Sequence, residues 1–320
     1  MRKATLVWFI FLSLLVVAPQ RAAAAQKLLS FATARLGGSW AGIGAGLAKL
    51  LTEKIPGISI KAESTGGGVA NNKLVHSGQS DIGLTVERLT LLARIGKGPF
   101  KKKKFTKNRM LLSGIQVGVL QIATLEGSGI KTLGDLKGKR VSAGPARGGG
   151  NPALKFSLLV HGITYKDFKV SYLNYAQGKN ALIDGNLDAA LTYAAIPVPA
   201  LKELQAGRKK WRLVGIKPEK VVQIAKRFKG YFRVTVPAKA YGLAQDTITI
   251  GARNGLIVNA DLDNKLVYQI IKTIDQNLDT VKKIHPSLKK MNRKIWAKSS
   301  VPVPYHPGAI RYYKEVGLLK

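Results

Sequence analysis

Residues 77–86 read S-G-Q-S-D-I-G-L-T-V, and residues 184–193 read D-G-N-L-D-A-A-L-T-Y. In both stretches an amphipathic segment ends at a Gly-Gln or Gly-Asn turn. An Asp then precedes a short apolar run that closes on Thr85 or Thr192. This order predicts a helix, a tight turn and a buried parallel strand, which together make an α/β unit. The repetition therefore predicts two similar α/β domains.

A glycine-rich loop opens another helix in each half of the chain. The first loop is S-T-G-G-G at residues 64–68, and the second is G-P-A-R-G-G-G at residues 144–150. Backbone N–H groups at the start of a helix bind anions, because they have no partner within the helix and lie at its positive end. Two such loops predict a ligand held in a cleft between the two domains.

Elsewhere, residues 121–124 are predicted as a strand, 247–258 as a β-rich connector and 265–282 as one helix.

The N-terminus has the three parts of a secretory signal peptide. Arg2 and Lys3 form a positive region, residues 4–18 are almost entirely apolar, and residues 22–25 supply an A-x-A cleavage site before Gln26. A cleaved segment over residues 1–25 predicts a periplasmic protein, and an uncleaved membrane anchor is the alternative. The chain has no cysteine, so neither a lipidated N-terminal cysteine nor a disulfide is available.

The chain is strongly basic, with 52 Lys and Arg residues against 17 Asp and Glu residues and a net charge of +35. Such a field attracts anionic ligands or anionic surfaces. No specific nucleic-acid partner is predicted, because the sequence has no zinc-finger, RRM or recognition-helix pattern. The lysine run at residues 101–104 lies beside glycines and a proline and is interpreted as a solvated loop. A cationic extracytoplasmic protein that binds polyanionic surfaces without a small ligand is therefore an alternative function.

Catalytic signatures are missing from the sequence. It contains no G-x-S-x-G elbow, no H-E-x-x-H motif, no P-loop and no cysteine nucleophile. The histidines His76, His161, His285 and His306 lie in different segments without metal-ligand spacing, and the last two precede prolines at expected helix or loop boundaries. We therefore predict a binding protein with no catalytic residue, no metal and no cofactor. A periplasmic enzyme on the same fold is the remaining alternative.

Five stretches of the sequence resemble one family of binding proteins. They are E-S-T-G-G-G-V-A-N-N-K-L-V-H-S-G-Q-S-D-I-G-L at 63–84, S-G-I-K-T-L-G-D-L-K-G-K-R-V-S-A-G at 128–144, A-D-L-D-N-K-L-V-Y-Q-I-I-K at 260–272, I-H-P at 284–286 and P-Y-H-P-G-A-I-R-Y-Y-K-E-V-G at 304–317. In this order they resemble the TAXI solute receptors, which are the extracytoplasmic binding proteins of tripartite ATP-independent periplasmic (TRAP) transporters.

The resemblance implies an α/β protein with the two-lobed type II periplasmic-binding-protein fold and a ligand cleft between the lobes. Residues 26–113 with 253–320 would form the first lobe, and residues 114–252 the second. The implied function is capture of a small organic anion, either an amino acid such as glutamate or a dicarboxylate, by a monomeric receptor that delivers it to TRAP-type permease subunits. We expect the lobes to close on the ligand about a hinge near residues 113–117 and 250–258.

The candidate ligand-binding residues follow the predicted strands of both lobes. They offer backbone N–H groups, hydroxyls and an Arg fork, which are groups that bind carboxylates well. The first lobe contributes Gly38, Ser39, Trp40, Ser64, Thr65, Gly66, Gly67 and Glu87, and the second contributes Arg147, Gly148, Gly149, Asn151, Tyr193 and Ala194.

Several of these candidates have an alternative interpretation. Trp40, in a Ser-Trp pair where the resembled family usually has Tyr-Tyr, is either a cleft wall or lobe packing. Arg147, in a loop that is usually Gly-Ser-Gly-Thr-like, either binds an anion or joins the basic surface. Glu87 could receive an ammonium group, which with Arg147 would suit an amino acid. The loop at residues 64–67 is interpreted as a ligand loop, with a plain helix cap as the alternative.

Overall fold

The computed structural model describes residues 26–35 and 38–320, so the predicted signal segment at 1–25 lies outside the described residues. Its elements alternate along the first part of the chain: β1 (Lys27–Ala32), α1 (Ser39–Lys54), β2 (Ile58–Glu63), α2 (Gly68–Ser77), β3 (Ile82–Val86), α3 (Glu87–Arg94) and the long β4 (Asn108–Leu125). The same strand–helix order then returns: β5 (Arg140–Ser142), α4 (Gly150–Leu159), β6 (Lys169–Ser171), α5 (Tyr175–Ile183), β7 (Ala189–Ala194) and α6 (Pro199–Ala206).

The rest of the chain completes both units. It consists of β8 (Trp211–Leu213), α7 (Pro218–Arg227), β9 (Tyr231–Val236), the long β10 (Thr247–Asn259), α8 (Asn264–Gln276), α9 (Leu278–Ile284) and α10 (Pro307–Glu315). The helix predicted over 265–282 is therefore two helices, which meet at Asn277. This residue has a non-helical backbone, and its side-chain amide donates to the carbonyl of Thr273, so it closes α8 before α9 begins.

The repeated Asp of the two sequence stretches performs the same structural task in each unit. The carboxylate of Asp81 accepts the backbone N–H of Ser30 on β1 at 2.8 Å. The carboxylate of Asp188 accepts the backbone N–H of Arg140 on β5 at 2.7 Å and also pairs with its guanidinium. Each Asp precedes a buried strand and fixes the parallel strand beside it. The echo in the sequence is therefore a strand-pairing device that recurs in both stretches.

The strands form one ten-stranded sheet with the path β2-β1-β3-β10-β4-β7-β5-β6, to which β8 and β9 are paired beside β4 and β10. Pairing is parallel within each unit, between β1 and β2 or β3, and between β5 and β6 or β7. The long strands β4 and β10 run antiparallel to each other between the units. The backbone thus passes between the two units along β4 and β10.

The pairing of β4 with β10 is irregular at the predicted hinge. Its register shifts between Asn254 and Leu256, opposite the stretch from Leu112 to Gln116. Gly114 has a φ of 69°, which a residue with a side chain adopts only with strain. A Cβ added at Gly255 would lie 2.5 Å from the carbonyl oxygen of Leu112. A local break of this kind concentrates backbone bending at a few residues, which supports the predicted hinge position.

Buried side chains place the end of the chain against the first unit. Trp296 and Tyr313, both fully buried, share one core with Phe31 and Leu47 of that unit. This packing agrees with a first lobe made of two separate stretches of sequence, whose exact limits stay a prediction. Within residues 26–35 and 38–320, no helix is long and apolar enough to cross a membrane. The lysines at 101–104 are exposed in a loop, as predicted.

Candidate functional site

A cleft lies between the two units, at the carboxyl ends of their parallel strands. Its empty volume is about 580 Å³, which includes the part open to solvent. Ligands of α/β proteins bind at such strand ends, since the loops there are free to vary while the sheet holds them in place. The described residues that line the cleft are Ala34, Arg35, Gly38, Ser39, Trp40, Thr65, Gly66, Gly67, Gly68, Val86, Pro145, Gly148, Gly149, Asn174, Tyr175, Tyr193 and Ala194.

Four helices begin at this cleft. The first residues of α1, α2 and α5 (Ser39, Gly68 and Tyr175) belong to its lining, and Gly149, the residue before α4, does too. The N-terminus of a helix carries a partial positive charge and unpaired N–H donors. Two N-termini come from each unit, so an anion in the cleft would be attracted from both sides.

The first glycine loop is held in a fixed shape from behind. The hydroxyl of Thr65 donates to the carbonyl of Thr33 at 3.0 Å and accepts the N–H of Gly67 at 3.0 Å. The buried amide of Asn71 donates to Thr33 and to the carbonyl of Leu84, at 2.8 and 2.7 Å. These bonds join the ends of β1 and β3 to the loop before α2. The backbone donors of the loop are therefore preorganised rather than free to rearrange.

The start of α1 connects the cleft to the predicted hinge region. The hydroxyl of Ser39 lies 3.2 Å from both the oxygen and the nitrogen of the Gln116 amide. The same amide oxygen accepts the hydroxyl of Ser287 at 2.7 Å. Ser39 is thus turned towards a buried polar network. Trp40 instead packs beside Gly68, since a Cβ added at Gly68 would lie 3.6 Å from the Trp40 ring. Trp40 is therefore both cleft wall and packing.

In the second unit, two tyrosines form an aromatic side of the cleft. The hydroxyl of Tyr175 donates to the carbonyl of Tyr193 at 2.9 Å. Burial raises the pKa of Tyr175 to about 12, so its phenol is neutral at physiological pH. Its ring reaches the first unit, since a Cβ added at Gly38 would lie 3.5 Å from it. Tyr193 packs under Gly150, where a Cβ would lie 2.7 Å from the tyrosine Cβ.

The two glycine loops touch each other across the cleft. The N–H of Val69, in the first turn of α2, donates to the carbonyl of Arg147 at 3.2 Å. An added Cβ at Gly66 would lie 3.0 Å from the Cβ of Arg147, and one at Gly149 would lie 2.7 Å from Val86. A side chain at Gly149 would force a shift of its neighbour, and one at Gly66 would be tightly packed. The glycines therefore permit the close contact between the units, in addition to exposing their N–H groups.

A buried arginine makes a second contact between the units. Arg88, at the start of α3, places its guanidinium carbon 4.9 Å from the ring centroid of Phe156, 5.6 Å from that of Phe228 and 5.3 Å from that of Tyr231. Its guanidinium also donates to the carbonyl of Lys229. Burial lowers the pKa of Arg88 from its ordinary value. This aromatic cage, formed by Phe156, Phe228 and Tyr231, holds the two units together next to the cleft.

Most of the candidate residues from the sequence meet in the cleft. Those in its lining are Gly38, Ser39, Trp40, Thr65, Gly66, Gly67, Gly148, Gly149, Tyr193 and Ala194. Ser64 and Arg147 are exposed beside it, and the side chain of Arg147 is not part of its wall. Asn151 faces away, since its backbone and side-chain oxygens both lie within 3.0 Å of the hydroxyl of Tyr165.

Glu87 is not brought into the cleft either. Its side chain is fully buried, and one carboxylate oxygen accepts the hydroxyl of Ser113 at 2.6 Å and the N–H of Gly114 at 3.1 Å. The other oxygen accepts the N–H and hydroxyl of Ser300, both at 2.7 Å, and the hydroxyl of Ser299 at 3.1 Å. Five hydrogen bonds satisfy a buried carboxylate. Glu87 therefore ties the first unit to the predicted hinge at Ser113 and Gly114 and to the C-terminal segment.

Sequence reasoning missed seven residues of the lining: Ala34, Arg35, Gly68, Val86, Pro145, Asn174 and Tyr175. Asn174 and Tyr175 could have been found by comparing the two units, because equivalent loops of a repeat lie at equivalent places. The loop between β6 and α5 is the counterpart, in the second unit, of the glycine loop between β2 and α2. The loop before α5 has no glycines like those that marked its counterpart. Its helix start is instead capped by Asn174, whose side-chain oxygen accepts the N–H of Gln177 at 2.9 Å.

The histidines do not form a cluster. Among the described residues, no group of three or more His, Asp or Glu side chains is placed to hold a metal ion. His285 and His306 each accept an N–H at the start of a short helix, from Ser287 and Gly308 respectively. The prediction that these two histidines mark helix boundaries is confirmed.

Comparison with known proteins agrees with this architecture. The model of the NMT1-like family matches residues 31–317. A solved structure from Bordetella bronchiseptica RB50 is 16% identical with a TM-score of 0.55, and the match covers 91% of this chain and 98% of the other. One from a study of glutathione import in Streptococcus mutans, via GshT and the cystine ABC importer TcyBC, is 13% identical with a TM-score of 0.50, covering 82% and 95%. At these identities the likeness concerns the fold, and the predicted fold class is confirmed.

Proposed function

The chain belongs to the NMT1-like family, and we propose that it is an extracytoplasmic solute receptor that closes its two lobes around a small organic anion. The observation that carries this proposal is the meeting of four helix N-termini at one cleft whose described lining includes Arg35, an exposed residue. Helix N-termini and arginine stabilise carboxylates and similar anions by N–H donation and by charge. The preorganised glycine loop supports the same function, because it offers donors without having to rearrange.

Closure of the lobes is the mechanism of capture. The two lobes already meet through the glycine loops, through Arg88 in its aromatic cage and through a buried apolar cluster that includes Leu89 and Leu154. Bending at the irregular pairing of β4 with β10 would separate these contacts and open the cleft to solvent. A ligand that bridges the helix starts of both lobes favours the closed form, because it binds that form with more contacts than the open one.

The proposed partner is a membrane transporter that receives the solute from the closed receptor. The sequence resemblance to TAXI receptors favours a TRAP-type permease. The structure from Streptococcus mutans comes from a study that includes an ABC importer, so an ABC permease is the alternative. We place the receptor in the periplasm on the strength of the signal-like segment at residues 1–25. A monomer is what the resemblance to TAXI receptors implies. Pull-down of the purified receptor with detergent-solubilised membranes of its own source would identify which permease binds it.

Binding of polyanionic surfaces without a small ligand is the second candidate function, and the net charge of +35 favours it. The two functions differ in the part of the protein that binds the anion and in how salt affects the affinity. Surface binding involves many exposed lysines and arginines and weakens steeply as salt rises. Binding in the cleft involves few charges and is screened less.

Thermal shift followed by calorimetry separates these functions. A panel of organic acids should raise the melting temperature, and calorimetry should give one site per chain whose dissociation constant changes less than about threefold between 50 and 200 mM salt. Gly66→Ala should weaken that binding, since its Cβ would lie 3.0 Å from the Cβ of Arg147 and the closed lobes would have to move apart slightly. Gly42→Ala is the matched control, because a Cβ there meets nothing within 4 Å. Salt-sensitive heparin binding with no response to any organic acid would reject the receptor function.

A further inference from the structure

The described walls of the cleft carry formal charge of one sign only. Among the lining residues that the structure describes, Arg35 is the single one with a charged side chain. The two positions that separate Arg35 from Gly38 in the sequence are Leu36 and Gly37, which are uncharged. The cleft therefore presents a cation and four helix starts to an anion. It presents no carboxylate from its described walls to a cation.

The one carboxylate next to the cleft in sequence is already engaged elsewhere. Glu87 directly follows Val86 of the lining, yet its two oxygens accept five hydrogen bonds from Ser113, Gly114, Ser299 and Ser300. Turning the side chain towards the cleft would leave buried donors without a partner. Glu87 is thus not available to receive the ammonium group of an amino acid.

The remaining walls are unfavourable to an ammonium group. Trp40, Val86, Pro145, Tyr175 and Tyr193 present mainly ring and aliphatic surface. An ammonium group placed against them gives up its water without gaining a carboxylate. Contact of the ammonium group with the aromatic faces would offset part of this lost hydration. The positive field of Arg35 and the helix starts would still repel the group. The same walls suit an apolar ligand body, whose burial is favourable.

We infer that the cleft selects small organic acids that lack an ammonium group, with an apolar body, over the amino acids of the same carbon skeleton. This inference rests on the proposed function and narrows its ligand from organic anions in general to carboxylates or sulfonates without an amine. Arg35 and the helix starts hold the acid group, and the aromatic side of the cleft holds the body. The discrimination arises from the missing partner for the amine.

Matched pairs of ligands test the inference. The three pairs are 3-phenylpropanoate with phenylalanine, 4-methylpentanoate with leucine, and glutarate with glutamate, each measured by calorimetry on the mature protein. We expect the acid without the amine to bind at least tenfold more tightly in each of the three pairs. Arg35→Gln should weaken that acid more than tenfold, whereas Lys101→Gln, which removes a charge from a distant exposed loop, should change it less than twofold.

A substitution in the cleft wall provides a second readout. Asn174→Asp keeps the side-chain oxygen that caps α5 and places a carboxylate in the cleft. It should shift the ratio of acid to amino-acid affinity at least fivefold towards the amino acid. Gln177→Glu is the matched control, because it adds the same charge to the same helix start at an exposed residue outside the lining, and keeps the acceptor for the N–H of Asn174. The control should leave the ratio unchanged.

Failure of this inference is distinguishable from failure of the proposed function. If the amino acids bind as tightly as their partners or more tightly, the ammonium discrimination is overturned while an anion receptor remains. If Asn174→Asp and Gln177→Glu shift the ratio equally, a specific effect of the cleft wall is overturned. If no member of any pair binds, and no other organic acid does, both the inference and the proposed function are rejected.

Discussion

Replacing Arg88 with methionine should open the cleft while leaving each lobe folded. The guanidinium of Arg88 comes from the first lobe and lies among Phe156, Phe228 and Tyr231 of the second, 4.9 to 5.6 Å from their ring centroids. Methionine keeps a flexible apolar side chain that fills much of the same space, so the packing of α3 is retained. The substitution removes the positive charge and the donor to the carbonyl of Lys229.

The size of the effect follows from these contacts. A desolvated cation–π contact contributes up to ~2 kcal/mol, and a hydrogen bond to a charged group contributes about 1.5–3 kcal/mol. Part of this gain is offset, because burial of the guanidinium is unfavourable and lowers the pKa of Arg88. A net loss of about 2–3 kcal/mol from the closed form corresponds to a change of roughly 30- to 150-fold in the ratio of closed to open molecules.

Small-angle scattering of the ligand-free protein measures this change as an increase in the radius of gyration. Arg227→Met is the matched control, since Arg227 also lies over Phe228, 5.4 Å from its centroid, but belongs to the same lobe as that ring. Its loss should leave the radius of gyration unchanged. A scattering curve of Arg88→Met that superimposes on the wild-type curve, with the protein folded by circular dichroism, would refute the prediction that loss of Arg88 opens the cleft.

Three further outcomes are expected. Gly149→Val should raise the dissociation constant for an organic acid more than tenfold in a folded protein, because its Cβ would lie 2.7 Å from Val86 across the cleft; wild-type affinity by calorimetry would contradict this. Glu87→Gln should lower the free energy of unfolding by about 2–4 kcal/mol, because an amide cannot accept all five hydrogen bonds, and an unchanged urea midpoint would count against it. Burial lowers the pKa of His306, so its contribution to stability is complete above its ordinary value of 6.5 and decreases as pH falls below it. His306→Asn retains an acceptor for the N–H of Gly308 and should reduce the loss of stability between about pH 7 and pH 5; an identical loss would exclude His306 as its source.

Local patterns predicted the repeated units of the fold well, because each pattern reports contacts close in sequence. The turn, the Asp and the apolar run at residues 77–86 and 184–193 correspond to helix ends, strand-fixing carboxylates and buried strands. The strand predicted at 121–124 is part of β4 (Asn108–Leu125), which is far longer. Its length depends on pairing with β10, β7 and β8, and those partners are distant in sequence.

The parts of the candidate site that consist of backbone donors were predictable from the sequence. The parts that depend on the direction of a side chain were less predictable. Glycines marked the loops at 64–68 and 144–150, and both reach the cleft. Glu87 follows a cleft residue but turns towards Ser113 and Ser300, which only the tertiary structure brings to it. Arg35 carries no local signal, because an arginine after a strand is equally common on ordinary surfaces. Tyr175 is found only by comparing the loop before α5 with its counterpart before α2.

A crystal structure of the protein with 3-phenylpropanoate tests most directly whether the cleft holds an organic anion. We expect the carboxylate to lie at the starts of α1, α2 and α5, within hydrogen-bond distance of Arg35 or of the loop at residues 65–68, with the phenyl ring against Trp40 or Tyr175. A carboxylate bound only on the outer basic surface, with no ligand density between the lobes, would contradict the proposed receptor function.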